Sequence, residues 1–265
     1  MKTRNGHKTY PLTVAQKFHI YYMDFCPKKE VVNIGTSLTI EYELDIEELK
    51  RAVYKAYERC ESMRVRFAYD KKEEQWYQYV VEKEERDIEY VDFTGKTMEE
   101  AAEIMTGWTR VPFQREDGPM NRVVMIKTPD GCQGLYVLGD HMLLDAQSLI
   151  CFLRDVIELY CNAKFEGVAY PLDMRSYIEQ LEKDLAYEAG SKAQARDREY
   201  FQKLIERSEP IFNGIQGPGQ LEEARKKFPG TRAAFSATAE VDPAPDIFHL
   251  EEEPTQRLMR FCEEQ

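Results

Sequence analysis

The run Gly139-Asp140-His141-Met142-Leu143-Leu144-Asp145-Ala146-Gln147-Ser148 holds the residue types best suited to chemistry in this chain. An imidazole with an ordinary pKa near ~6.5 can take or give a proton at neutral pH. An apolar run, Leu135-Tyr136-Val137-Leu138, leads into the histidine, and an amphipathic run from Leu149 to Tyr160 follows it. His141 is therefore expected where a buried strand ends, and Asp145 where a helix begins. A base carried between two rigid elements, with an acid that locks the intervening backbone, suits general acid–base work or the orientation of a nucleophile. The plainer reading of the same residues is a satisfied polar histidine at a strand end and an aspartate that only caps a helix. Side chains alternate along a strand, so Asp140 and His141 should point to opposite faces. Asp140 is then a turn residue or structural hydrogen-bonder rather than a direct partner of His141.

The elements that must position these residues can be read from capping and periodicity. Thr13 with Gln16 forms a capping box for a helix to about Phe25, which Pro27 ends. Val31 to Glu43 reads as one long strand. Asp45 with Glu48 forms another capping box, opening a helix whose apolar positions are Ile46, Leu49, Val53, Ala56 and Cys60. Met63–Tyr69 and Gln75–Val81 are strands joined by a charged turn, and Ile88–Val91 is a short edge strand. Thr97 and Glu100 cap a helix to about Arg110. Arg122–Lys127 and Gly134–Leu138 flank the turn Thr128-Pro129-Asp130-Gly131. The helix after Asp145 should bury Leu149, Phe152, Leu153, Val156, Ile157 and Tyr160. Helices over roughly 173–188 and 193–207 follow, then a loop from Ile211 to Gln220, a strand from Thr231 to Val241, and a helix from Pro254 to Glu264. Helices interleaved with hairpin-joined strands argue for an α+β fold, a mixed sheet flanked by helices, over a doubly wound parallel sheet.

Composition narrows the function classes. The 265 residues carry a formal net charge of -12, with 43% hydrophobic and 32% charged residues. That is the make-up of a soluble globular chain. An acidic surface lacks the basic patches that bind nucleic acid, and it disfavours anionic membranes. The six cysteines form no C-x-x-C pair and no zinc-like cluster, so no metal is expected. With no apolar signal core at the N-terminus, free thiols in a reducing cytoplasm are expected. Gly95-Lys96-Thr97 lacks the upstream glycine of a phosphate loop and reads as a turn before a helix. There is no Ser-His-Asp order at motif spacing.

Five further segments fall into a recognisable order around the histidine run. They are Tyr10-Pro11-Leu12-Thr13-Val14-Ala15-Gln16-Lys17-Phe18, Arg59-Cys60-Glu61-Ser62-Met63-Arg64-Val65-Arg66-Phe67 and Pro112-Phe113 through Pro119-Met120-Asn121-Arg122. Downstream come Tyr170-Pro171-Leu172-Asp173 to Tyr177, and Arg198-Glu199-Tyr200-Phe201. The succession resembles the condensation domains of nonribosomal peptide synthetases. Those carry, in order, L-T/S-x-A-Q, R-H-x-x-L-R-T-x-F, P-F-x-x-x-x-x-P-L-x-R and H-H-x-x-x-D-G segments. Here the family's first His is Asp140, the second is kept as His141, the acid is kept as Asp145, the glycine is Ala146, and the His of the second segment is Cys60. Asp140, Asp145 and Ser148 also fit D-x-x-x-x-D-x-x-S, which resembles the heterocyclization branch, a branch that normally lacks the second His.

The resemblance implies a chloramphenicol-acetyltransferase-like fold of two lobes in a V, with the active site between them. Residues 1–245 would be the N-terminal lobe and 246–265 the start of a second, truncated one, so that the isolated chain folds but does not turn over. The implied activity is amide-bond formation between a carrier-bound acyl or peptidyl thioester and an acceptor amine. In it His141 faces the cleft and orients or deprotonates the amine. Asp145 would lock the loop through an arginine, Arg64 first because the second segment supplies one there, with Arg59 and Arg66 as substitutes. Asp140 would support the site structurally, and Ser148 and Gln16 could line the cleft. No cofactor is bound directly. Phosphopantetheine arrives on partner carrier proteins, loaded by an adenylation domain of the same pathway. The departures at Asp140 and Ala146 keep a heterocyclization variant and a catalytically silent recruiting domain open.

Overall fold

The computed structural model describes residues 3–26, 28–84, 86–207, 226 and 251–264. Short strands β1 (Thr3–Arg4), β2 (His7–Lys8) and β3 (Tyr10–Pro11) precede α1 (Val14–Phe25). Then come β4 (Asn33–Ile40), α2 (Ile46–Arg59), β5 (Val65–Asp70), β6 (Gln75–Val80), β7 (Glu89–Asp92) and α3 (Met98–Thr109). β8 (Asn121–Lys127), β9 (Gln133–Asp140), α4 (Ala146–Lys164), α5 (Tyr177–Glu188), α6 (Lys192–Arg207) and α7 (Glu252–Glu264) complete the order.

The central sheet runs β4-β9-β8-β7. Its first three strands are antiparallel neighbours, and β7 lies parallel to β8, which makes the sheet mixed. Period-two alternation divides the inner strands between two cores. Val123, Met125, Leu135 and Val137 face the amphipathic sides of α2 and α4, where Leu49, Val53, Ala56, Phe152 and Val156 are fully or almost fully buried. Val124, Ile126, Tyr136 and Leu138 face Phe93 and, from α3, Ala101, Ile104, Met105 and Trp108. Each fully buried Leu, Val or Phe contributes on the order of 1.5–3 kcal/mol. This double coverage explains why β9 is buried along its whole length and reads as an unbroken apolar run. A three-stranded sheet, β3-β6-β5, adds Val65 and Phe67 to the α2/α4 core.

The capping boxes at Thr13 and Thr97 form, whereas at Asp45 only the forward bond does, its carboxylate accepting the Glu48 N–H. Two expectations are corrected. The long strand from Val31 to Glu43 is cut to β4, because Lys29–Val32 forms a 3-10 turn that fastens the end of α1. Lys29 Nζ donates to the Met23 and Cys26 carbonyls there. In α4, Leu159 is buried where Ile157 is half-buried. The same helix also buries Asp155, which Arg59 holds with two nitrogens at 3.1 Å while its guanidinium reaches the Pro171 and Leu172 carbonyls. The loop Ile211–Gln220, the strand Thr231–Val241 and the division at 245/246 lie outside the described residues. Among the described residues, no helix is long and apolar enough to cross a membrane.

Candidate functional site

β9 delivers His141 at its end, and the backbone around the histidine is fastened on both sides. Asp140 pairs with Asn33 of β4, and its N–H donates to the Met120 carbonyl at 2.9 Å. One residue on, the His141 N–H donates to the Val32 carbonyl at 2.8 Å. The Asp140 carbonyl then accepts from Leu143 and Leu144 at 2.9 and 3.2 Å, closing the turn into α4. Met142, Leu143 and Leu144 are buried and anchor that turn in the core. Gly139 permits the fit, since a Cβ there would lie 2.7 Å from Leu144 Cδ1.

Within this frame the His141 ring is exposed, whereas Asp140 is 2% exposed. One Asp140 carboxylate oxygen accepts the Met142 N–H at 2.8 Å, and the other lies 3.9 Å from an Arg115 nitrogen. Burial pushes this carboxyl above the ordinary range, against the opposing pull of the Met142 N–H and the Arg115 charge. Asp140 thus serves the turn with a buried side chain, while His141 is exposed.

Asp145 caps α4. Its Oδ1 accepts the Ser148 N–H at 2.7 Å and the Ser148 hydroxyl at 2.6 Å, and these bonds hold the carboxyl below its usual range. The expected anchoring by Arg64 does not form. Arg64 is 8% exposed and its guanidinium is occupied by four carbonyls, those of Tyr57, Glu58, Val81 and Glu82. It ties the end of α2 to the end of β6. The substitutes are occupied as well, Arg59 by Asp155 and Arg66 by Glu84. Ser148 is half-buried in the first turn of α4 with its hydroxyl turned onto Asp145.

Gln16 is corrected too. It is 7% exposed and belongs to a buried polar network rather than to an open face. Its Nε2 donates to Gln78 Oε1 at 3.0 Å and to the Tyr177 hydroxyl at 3.1 Å, while its Oε1 accepts from the Thr13 N–H and from Gln78 Nε2. The network bolts α1 to β6 and α5.

Two residues at the site went unread in the sequence. His19 of α1 stacks on His141, with ring centroids 5.2 Å apart and planes 28° from parallel. Arg115, on the irregular stretch between α3 and β8, faces Asp140. A signal for His19 was present, because it shares a helical stripe with Gln16, Ile20 and Met23, all buried or half-buried. Burial and then the neighbouring His141 lower the His19 pKa, which favours its neutral ring. Among the described residues, no group of three or more His, Cys, Asp or Glu side chains gathers to hold a metal ion. The chemistry open to the site is therefore that of an exposed imidazole on a fixed backbone: accepting a hydrogen bond or a proton from a group brought to it.

The chain matches the Condensation domain family model over residues 6–265. It is 25% identical over 154 residues to a linear gramicidin synthase of Brevibacillus parabrevis, covering 57% of this chain and 2% of that protein. It is 27% identical over 169 residues to a plipastatin synthase of Bacillus subtilis (strain 168), covering 63% of this chain and 6% of that protein. The fold superposes on the starter condensation domain of a rhizomide synthetase with a TM-score of 0.66 and 21% sequence identity, over 75% of this chain and 48% of that one. The chain thus spans about half of that solved domain and a small part of each synthase. A mixed sheet between α3 and the α2/α4 pair, a histidine at the β9–α4 turn and a family match along nearly the whole sequence lead to one assignment: the chain belongs to the condensation domain family.

Proposed function

We propose that this domain forms amide bonds in nonribosomal peptide synthesis, with His141 orienting or deprotonating an acceptor amine. The amine nitrogen attacks the carbonyl carbon of a carrier-bound acyl or peptidyl thioester. The C–N bond forms, the C–S bond breaks, and the amine's proton passes by way of the imidazole to the departing thiolate. The observation that carries this reading is the pairing of an exposed imidazole with a backbone fastened at Val32, Met120 and the α4 cap. Such a frame fixes the backbone from which the imidazole projects, the first requirement for placing a catalytic group. The thioester would arrive on the phosphopantetheine arm of a carrier protein charged by an adenylation domain. The net charge of -12 repels an acidic carrier at long range, so docking would use a local basic patch.

The heterocyclization reading is less well supported. All three residues of its pattern have backbone duties: Asp140 holds the Met142 N–H, and Asp145 and Ser148 bond to each other at the head of α4.

The test uses the longest natural chain that contains these residues, an acyl-loaded carrier protein and an amine acceptor, with amide product followed by mass spectrometry. His141→Ala should lose about 10²–10⁴-fold in rate, the range of a positioned acid–base group. A His141→Ala protein with the parental rate would overturn the proposal. A parent that binds the carrier without forming amide would favour a recruiting domain.

A further inference from the structure

We infer that His19 is a positioning residue for His141, holding the exposed imidazole at one orientation through a ring stack between α1 and the end of β9. The inference rests on the reading of His141 as the working residue.

The two rings belong to elements that one short stretch of chain ties together. Lys29 fastens the last carbonyls of α1, and three residues later the Val32 carbonyl receives the His141 N–H. From there the chain enters β4, whose first residue, Asn33, pairs with Asp140. α1 is held from its other end by the Gln16–Gln78–Tyr177 network. His19, three residues after Gln16 and four before the buried Met23, is half-buried on a helix that is pinned at both ends.

The His141 ring has few other restraints. Its backbone is fixed, yet among the described residues its ring nitrogens have no hydrogen-bond partner. An exposed imidazole on a fixed Cα still samples several χ1 and χ2 wells. Against it lies the His19 ring at 5.2 Å, near enough to parallel for an offset stack, and His19 is itself backed edge-on by Phe18 at 6.4 Å and 76°. The groups facing His19 are His141, Asp140 and Arg115. Burial, His141 and Arg115 favour its neutral form, and Asp140 opposes them. A neutral ring restrains His141 without placing a second positive charge beside it. Ring shape is then the property that matters at position 19.

Two measurements test this. In the 265-residue chain, NMR should show a nuclear Overhauser contact between the His19 and His141 rings. The His141 ring-proton resonances should move in His19→Ala and keep a ring-current shift in His19→Phe. In the longest natural chain, His19→Ala should lower kcat about 10-fold or more with KM within about twofold, and His19→Phe should restore kcat to within about threefold, since a misplaced catalytic group can cost up to ~10² in rate. Absence of the contact in the folded parent overturns the stack. A phenylalanine variant as slow as the alanine variant, or an alanine variant at full rate, overturns the positioning role. Failure of the underlying reading is separate: it appears as a parental rate in His141→Ala, with the ring contact of the parent intact.

Discussion

Replacing Asp145 and Arg64 by alanine, singly and together, should give two unequal and independent losses of stability. Asp145 is exposed, and its Oδ1 makes both of its bonds to Ser148, so Asp145→Ala removes one N-cap and one carboxylate at a helix start. That is worth about 1 kcal/mol, up to ~2. Arg64→Ala strands four carbonyls that a buried guanidinium serves, at the ends of α2 and β6. With part of that loss made good by water, about 3–5 kcal/mol is expected. The two side chains share no partner, so the double variant should be additive within ~0.5 kcal/mol. The assay is urea unfolding at neutral pH, followed by circular dichroism and fitted as a two-state transition. The Asp145 contribution should also depend on acid. Its folded carboxyl lies below the ordinary range, held there first by the Ser148 hydroxyl and then by the Ser148 N–H. A depressed carboxyl adds stability above the unfolded value of ~3.9, and that stability is lost as pH falls through the folded value. The gap between parent and Asp145→Ala should therefore narrow as pH falls below ~4. A coupling above ~1 kcal/mol in the double-variant cycle would mean that the two residues form an ion pair after all.

Asp140 should respond to loss of its acceptor oxygen rather than to loss of its charge. Burial raises its folded pKa, so its stabilising term is complete below the unfolded value of ~3.9 and is lost as pH rises through the folded value. At neutral pH, Asp140→Asn, which keeps an acceptor for the Met142 N–H, should unfold at the parental urea midpoint or above it. Asp140→Ala should lose about 1–3 kcal/mol, because the buried Met142 N–H is left without an acceptor. Equal losses in both variants would refute this division. Glu84 behaves in the opposite sense. Burial pushes its carboxyl up, but the bond from Arg66 and the Arg86 and Arg66 charges outweigh that and hold it below the ordinary range. Its contribution is present above ~4.3 and lost on acidification, so Glu84→Gln should flatten the acid limb of stability against pH. An unchanged limb would show that the pair is not coupled to folding.

Local signals were legible to the residue. Thr13 with Gln16, Asp45 with Glu48, Thr97 with Glu100, and Asp145 before an apolar stripe each mark a helix start, because a cap is decided by atoms three residues apart. The Leu135–Leu138 run marked a strand covered on both faces. Tertiary destinations were not legible. The family pattern places an arginine at position 64, but not which acceptors it meets, and those depend on the end of α2 meeting the end of β6. The cap explains only one end of the Gln16 amide, and the other end reaches β6 and α5. Arg115 lies on irregular backbone, where no period assigns it a face.

The same contrast explains how this site is built. Among the described residues, none makes a direct side-chain hydrogen bond to the His141 ring. Asp140, Asp145 and Ser148 serve the backbone before and after the histidine, and Val32 holds its N–H. The frame is therefore tolerant of the residue type at 140 so long as a buried acceptor remains for the Met142 N–H. An aspartate with Arg115 nearby can fill that place, where the family pattern has a histidine. Departure from the motif at 140 is then a change in how the turn is supported, and it leaves the imidazole at 141 exposed, with the His19 ring stacked beside it.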